Sequence, residues 1–274
     1  MGLFDAFGYK GKRAVVVGGA TGMGAAVAAL VQDAGAEVVV MDRAEVTMGG
    51  VKAISLDLAD KASIEAAVAE CGGPIDALFS CAGVADGTPG IERINFVGHR
   101  HLINLLLDGD MLPRGSAIGF IASAAGLGWE GSLLELFEYL DIADFDAASK
   151  WAVDHGKADY MWSKKTINAY VAREAFGLLK KGIRINSILP GPTDTPLAQA
   201  NKEMWLGFGA DYREEAGIDA ATPLEQAYPL VFLCSDAASG VTGITMITDA
   251  GYFAAGVTGS YPPAQPAIEF LRSI

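Results

Sequence analysis

Few cysteines, few charges and no long apolar run limit what this chain of 274 residues can be. Its three cysteines, Cys71, Cys81 and Cys234, are odd in number and widely spaced, so they predict neither a disulfide framework nor a zinc site. No apolar run is long enough to cross a bilayer, and the first residues lack the basic region and apolar core of a signal peptide. We therefore expect a reducing, cytoplasmic location.

Basic residues and histidines are also scarce. The chain has 20 Lys and Arg against 33 Asp and Glu, a formal net charge of −13, which repels phosphate backbones and anionic lipid surfaces. We expect no nucleic-acid partner and no membrane partner. Among the three histidines, His99 and His101 are two residues apart on a predicted helix and face different directions, so we expect no metal. A zinc-dependent alcohol dehydrogenase is disfavoured.

What the chain has in quantity is apolar residues and glycine. Apolar residues make up 51% of it, and it contains 34 glycines. Short β-branched runs such as 14–17 and 38–41 alternate with segments of helical periodicity. This alternation predicts an α/β fold with a doubly wound parallel sheet of seven strands, helices on both faces and ligands at the carboxyl ends of the strands.

A glycine-rich loop follows the first predicted strand. The segment 18–24 (GGATGMG) leads into a helix beginning near residue 25. Glycines allow a tight turn between strand and helix, and they let a pyrophosphate approach backbone N–H groups at the helix N-terminus. The alternative interpretation is a simple glycine-rich turn.

Asp42 ends the second predicted strand, about 20 residues past the first glycines, where an acidic side chain can accept both ribose hydroxyls of NAD. The same carboxylate would repel the 2′-phosphate of NADP, although the neighbouring Arg43 could reach over the adenosine. The alternative for Asp42 is an ordinary strand-end cap.

Tyr160 and Lys164 are four residues apart and therefore share one face of a predicted helix. An ammonium close to a phenol favours phenolate, so we expect the pKa of Tyr160 to fall from roughly 10 toward neutrality. Such a tyrosine can exchange a proton with an alcohol or a carbonyl. Taken alone, the pair could be a coincidence of composition.

Over about residues 10–252, the ordered motifs resemble those of the short-chain dehydrogenase/reductase family. Val17 stands where the family has Thr. In chain order the matching segments are 17–24, Asp57-Leu58, 80–83, 94–98, 122–123, Tyr160 to Lys164 and 190–195. Both asparagines of the family's N-N-A-G motif are replaced, by Ser80 and Cys81, so the resemblance does not supply the side-chain hydrogen bonds that steady the central strand there.

The resemblance implies a Rossmann-like fold, NAD as cofactor and four catalytic residues. Ser123 would bind the substrate oxygen, Tyr160 would transfer the proton, Lys164 would tune Tyr160 and bind the nicotinamide ribose, and Asn95 would hold a water relay. The residues implied in cofactor binding are Gly18, Thr21, Gly22, Met23, Asp42, Arg43, Asp57, Leu58, Cys81, Ala82, Gly83, Tyr160, Lys164, Pro190, Gly191, Thr193 and Thr195.

The chain departs from the common family pattern by a long acidic segment, 127–159, before the catalytic tyrosine. A similar helical insertion marks the bacterial 3α-hydroxysteroid dehydrogenase/carbonyl reductase branch and relatives acting on aromatic alcohols; a lid or an altered subunit contact remains open. We expect one domain over 1–274, with an apolar substrate-binding lid at 196–220 and a C-terminal extension at 252–274. The lid segment could equally be an ordinary amphipathic helix, and the extension could close the site or join a neighbouring subunit.

The expected function is interconversion of an alcohol and its carbonyl on a lipophilic small molecule, such as a 3α-hydroxysteroid or 3-ketosteroid. Aromatic alcohols of the coniferyl type and terpene alcohols are alternatives. A sugar-nucleotide epimerase and a non-catalytic NAD-sensing protein are further hypotheses; the glycine spacing argues against the first and the retained catalytic residues against the second. The family usually forms homodimers or homotetramers.

Overall fold

A computed structural model of the chain describes residues 2–273, which fold around one parallel sheet of seven strands in the order β3-β2-β1-β4-β5-β6-β7. The strands are β1 (Arg13–Val17), β2 (Glu37–Asp42), β3 (Lys52–Ser55), β4 (Ala77–Ser80), β5 (Ala117–Ile121), β6 (Arg184–Pro190) and β7 (Thr245–Thr248).

Helices cover the faces and the carboxyl edge of this sheet. They are α1 (Leu3–Phe7), α2 (Gly22–Asp33), α3 (Lys61–Cys71), α4 (Gly98–Asp108), α5 (Leu133–Leu140), α6 (Phe145–Asp154), α7 (Tyr160–Lys181), α8 (Pro196–Ala200), α9 (Lys202–Trp205), α10 (Ala210–Ala216), α11 (Pro223–Cys234), α12 (Tyr252–Thr258) and α13 (Gln265–Ser273). A π-helical turn, Arg93–Val97, leads into α4.

The central strands are buried on both faces, as their apolar sequences predict. Every residue of β4, β5 and β6 is buried, and β1 is buried from Ala14 onward. Strand order reverses between β1 and β4, and in such sheets the reversal opens a crevice at the carboxyl ends of the strands. The predicted α/β class, the seven parallel strands and the position of the crevice are confirmed.

The turn from β1 to α2 depends on glycine. Gly18 has φ +83°, and a Cβ added there would come 2.5 Å from the backbone of Ala82, which follows β4. Any side chain at this position would push the two loops apart.

A glycine also ends α7. Gly182 has φ +78°, and its N–H donates to the carbonyls of Leu178 and Leu179.

The segment 127–159 extends the hydrophobic core. Leu136 and Tyr139 of α5 are buried, and the Tyr139 ring lies 6.0 Å from that of Phe96. The guanidinium of Arg100 on α4 donates hydrogen bonds to the carbonyls of Leu140 and Ile142. The insertion is therefore packed onto α4 and α7. Within the described chain, none of its residues lines the site cavities described below, so it is not a lid.

Truncating the buried side of α5 should destabilise the whole protein. Leu136 is fully buried, so Leu136→Ala should cost about 2–5 kcal/mol of unfolding free energy, measured by urea denaturation. Leu134 on the same helix is 89% exposed, and Leu134→Ala should stay within about 0.5 kcal/mol of the parent. Equal stability of the two variants would mean that the insertion unfolds separately.

Two C-terminal segments consist of short helices. The start of the segment expected to be a lid forms α8 and α9, which meet at Asn201, and the Asn201 amide donates to the Leu197 carbonyl in the last turn of α8. The extension 252–273, for which the sequence offers no motif, forms α12 and α13. No helix among residues 2–273 is long and apolar enough to cross a membrane.

Candidate active site

Two adjoining cavities open at the carboxyl edge of the sheet. The first has a volume of about 260 Å³ and the second about 430 Å³. They share the lining residues Met23, Cys81, Gly83, Thr195 and Leu197, so they form one continuous crevice. Its position is the one expected from the strand order.

The first cavity collects most of the residues predicted to bind a dinucleotide. It is lined by Gly18, Thr21, Gly22, Met23, Asp42, Arg43, Asp57, Leu58, Cys81, Ala82, Gly83 and Thr195. They follow the ends of β1, β2, β3 and β4, and Thr195 follows β6, so five separate segments meet here.

Asp42 joins two of these loops. Its carboxylate accepts the N–H of Ala20 in the glycine loop and the N–H of Ala44, each at 2.9 Å. The strand-end cap considered as an alternative is therefore present. A carboxylate has about four lone-pair sites, so these two bonds leave it capacity for hydroxyl donors in the cavity.

Asp57 shapes the loop after β3. It accepts the N–H of Ala59 at 2.9 Å, while its own N–H donates to the hydroxyl of Ser63. Leu58 next to it is buried. Both bonds fix the backbone conformation of this wall.

The second cavity contains the predicted catalytic side chains Ser123, Tyr160 and Lys164. Ser123 follows β5, and its hydroxyl accepts the N–H of Ala125 at 3.2 Å. The Lys164 ammonium lies 5.3 Å from the centre of the Tyr160 ring and donates to the Ile121 carbonyl at 3.2 Å. The same cavity is lined by four residues predicted to bind the cofactor, Pro190, Gly191, Thr193 and Thr195.

The side chains of two threonines that line the second cavity form hydrogen bonds with the backbone. The Thr193 hydroxyl donates to the Gly191 carbonyl, and the Thr195 hydroxyl accepts the Ala198 N–H as the N-cap of α8. Thr195 keeps its hydroxyl proton available for donation into the crevice.

Burial controls the protonation of the tyrosine–lysine pair. Burial, with a smaller contribution from the Asp86 carboxylate, raises the pKa of Tyr160 to about 12, although a hydrogen bond with Ser123 acts to lower it. Burial also lowers the pKa of Lys164 to about 8. The prediction that the pKa of Tyr160 falls toward neutrality is therefore wrong for this structure, because burial disfavours the charged phenolate.

Asn95 is the one predicted catalytic residue that lines neither cavity. It lies fully buried in the π-helical turn. Its side-chain oxygen accepts the Val84 N–H, and its amide donates to the Val84 carbonyl and the Ser163 hydroxyl. Asn95 thereby links the loop after β4 to α7 and fixes the position of the catalytic helix. The predicted water relay stays a prediction.

The sequence analysis missed the role of His99, which it considered only as a metal ligand. His99 is buried, and its Nε2 lies 3.1 Å from the Ala82 carbonyl. Burial lowers its pKa to about 4, so the neutral ring donates from Nε2. This bond steadies the loop in which the family's asparagines are replaced. The signal available was its position four residues after Asn95, on the same helical face.

The roof of the second cavity is apolar and comes from two segments. Met204, Trp205 and Phe208 come from the predicted lid, and Ala267, Phe270 and Leu271 come from the C-terminal extension. The Trp205 ring lies 5.0 Å from the Tyr160 ring at an interplanar angle of 42°. The contribution of the extension was not predicted, beyond the alternative that it closes the site.

No group of three or more side chains suited to hold a metal ion occurs in the part of the chain that the structure describes. His99 and His101 diverge as predicted, since His101 faces Glu65 across 3.6 Å.

Comparison with known proteins agrees with this geometry. A family model described as short chain dehydrogenase matches residues 12–131, and one described as enoyl-(acyl carrier protein) reductase matches residues 144–253. The chain is 32% identical to cis-4-hydroxycyclohexanecarboxylate dehydrogenase of Sinomonas cyclohexanicum, over 88% of this chain and 96% of the relative. It is 30% identical to 3-alpha-hydroxysteroid dehydrogenase/carbonyl reductase of Comamonas testosteroni, over 86% and 95%.

A solved structure shows the same fold. The 3-alpha-hydroxysteroid dehydrogenase of Pseudomonas sp. B-0831, complexed with NADH, superposes with a TM-score of 0.73 at 26% identity, covering 91% of this chain and 99% of that one.

Proposed function

Because this chain belongs to the short-chain dehydrogenase/reductase family, we propose that it uses NAD to interconvert a lipophilic alcohol, such as a 3α-hydroxysteroid, and its ketone. It is an oxidoreductase acting on alcohols or carbonyls. The observation that carries the proposal is the meeting of Ser123, Tyr160 and Lys164 in an apolar cavity continuous with the glycine-loop cavity.

The residues of the first cavity fit a dinucleotide. Gly18 lines it without a side chain, and so does Gly22, the first residue of α2. The Asp42 carboxylate favours an unphosphorylated ribose, and the solved relative complexed with NADH supports this preference. NAD bound here would supply the hydride acceptor.

The side chains of the second cavity are suited to acid–base catalysis. Ser123 orients the substrate oxygen, and Tyr160 removes its proton during oxidation or returns it during reduction. Lys164 holds positive charge beside the phenol, which favours phenolate as the proton leaves. Asn95 keeps α7, and with it Tyr160, in register with the loop after β4.

The apolar roof supports a lipophilic substrate. Met204, Trp205 and Phe270 would bury the ring system of such a molecule, and burial of apolar area stabilises the complex. The two relatives named above act, by their names, on a cyclohexane alcohol and on 3α-hydroxysteroids. The Trp205 ring beside Tyr160 also suits an aromatic alcohol of the coniferyl type, which makes this the second candidate.

A spectrophotometric panel tests the proposal. Purified protein is incubated at pH 9 with NAD or NADP and with 3α-hydroxysteroids, coniferyl alcohol or terpene alcohols, and NADH or NADPH is followed at its absorbance band. We expect turnover of the steroid class with NAD, with kcat/KM at least about tenfold above that with NADP. Preference for NADP would overturn the argument from Asp42. Cofactor binding without turnover of any alcohol or matching ketone would favour the NAD-sensing hypothesis.

A further inference from the structure

The carboxylate of Asp86 lies at the mouth of the second cavity, and the proposed function gives it no part in substrate binding. Asp86 belongs to the loop after β4, is exposed and lines the cavity. One of its oxygens accepts the backbone N–H of Tyr160 at 2.6 Å, so the carboxylate is held at the first residue of α7. Its position is tied to that of the catalytic tyrosine itself.

Asp86 dominates the electrostatics of this mouth. Among the described residues that line the second cavity, Asp86 is the only acidic one and Lys164 the only basic one. Lys164 is buried at the inner end, whereas the roof contributes apolar side chains alone. Asp159, the N-cap of α7, adds a second carboxylate nearby, bonded to the Trp162 N–H.

The charge of Asp86 acts inside the cavity as well as at its rim. It contributes to the raised pKa of Tyr160, so its field reaches the position where the substrate oxygen reacts. One Asp86 oxygen is committed to the helix, and the other accepts no hydrogen bond from any described residue. A donor or cation on a substrate could bond this second oxygen, and an anion there would be repelled.

We propose that Asp86 selects substrates by charge, admitting neutral alcohols, favouring those with a hydrogen-bond donor or cation remote from the reacting carbon, and excluding carboxylates. The proposal rests on the function proposed above. The relative named cis-4-hydroxycyclohexanecarboxylate dehydrogenase acts, by its name, on an anion, so we expect the two proteins to differ in this preference.

The test uses three cyclohexanols whose 4-substituent is cationic, neutral or anionic: 4-aminocyclohexanol, methyl 4-hydroxycyclohexanecarboxylate and 4-hydroxycyclohexanecarboxylate. Each is assayed at pH 8 as a substrate and as a competitive inhibitor of the best alcohol of the panel. For the parent protein we expect binding in the order amine, ester, carboxylate, with steps of roughly fivefold that shrink as salt is added.

The variant is Asp86→Asn, which keeps the side-chain oxygen that accepts the Tyr160 N–H and removes the charge. We expect the charge order to collapse to within about twofold. Asp108→Asn removes an exposed carboxylate at the far end of α4 and should leave the order unchanged.

Two results would overturn this inference: no charge order in the parent protein, or the same order in Asp86→Asn. Either result can be obtained while the protein still oxidises an alcohol of the panel, and the proposed function would then stand. If no alcohol of the panel is turned over, the proposed function fails, and this inference fails with it.

Discussion

Replacing Tyr160 with phenylalanine should lower kcat/KM for alcohol oxidation by about a thousandfold or more. The phenol is hydrogen-bonded with Ser123 in the second cavity, and positioned acid–base catalysis contributes typically 10²–10⁴-fold. The ring itself remains, so its contact with Trp205 and the shape of the cavity are kept. Cofactor affinity, measured by fluorescence titration, should change little.

A second tyrosine on α7 provides the matched control. Tyr170 is buried away from both cavities, so Tyr170→Phe makes the same chemical change in the same helix. We expect it to retain activity within a few-fold of the parent. Near-normal turnover in Tyr160→Phe would end the assignment of Tyr160 as the proton-transfer residue.

The second large effect is expected at Lys164. Lys164→Met keeps a buried side chain of similar length and removes the ammonium 5.3 Å from the Tyr160 ring. A cation at such a distance favours the neighbouring anion by about one to three pKa units, so we expect kcat/KM at pH 8 to fall roughly tenfold to a thousandfold.

The pH profile gives the sign of this effect. Oxidation requires the deprotonated tyrosine, so its rate rises with pH through the pKa of Tyr160. Loss of the ammonium raises that pKa, so the rising limb below it should move to higher pH. The difference from the parent should shrink above about pH 8, because the parent's Lys164, with its pKa of about 8, also loses its charge there. Lys181→Met, an exposed lysine at the end of the same helix, should leave the limb in place. A limb that does not move in Lys164→Met would show that Lys164 acts only by binding.

Local patterns in the sequence were sufficient for the framework of the protein. Strand and helix periodicities depend on near neighbours, so the seven strands and the glycine turn at Gly18 were predictable. The four-residue spacing of Tyr160 and Lys164 fixed their common helical face in the same way. Most predicted cofactor-binding positions follow a strand end, and strand order brings such positions to one edge.

Relations between distant segments were decided only by the tertiary structure. The insertion could have covered the site, but the apolar faces of α5 and α6 are buried against α4 and α7. No periodicity indicates that α13 returns to roof the cavity. The hydrogen bonds of Asn95 could not be predicted for the same reason, since its partners, Val84 and Ser163, belong to different elements.

The protonation of Tyr160 shows most clearly what followed from the sequence and what depended on the tertiary structure. The sequence determined that a phenol and an ammonium lie on one face of a helix, and spacing alone suggested a lowered pKa for Tyr160. The tertiary structure surrounds the phenol with other elements and sets the Asp86 carboxylate at its helix N-terminus, which raises that pKa to about 12. Desolvation depends on every segment that excludes water from a group, and no local pattern encodes that sum.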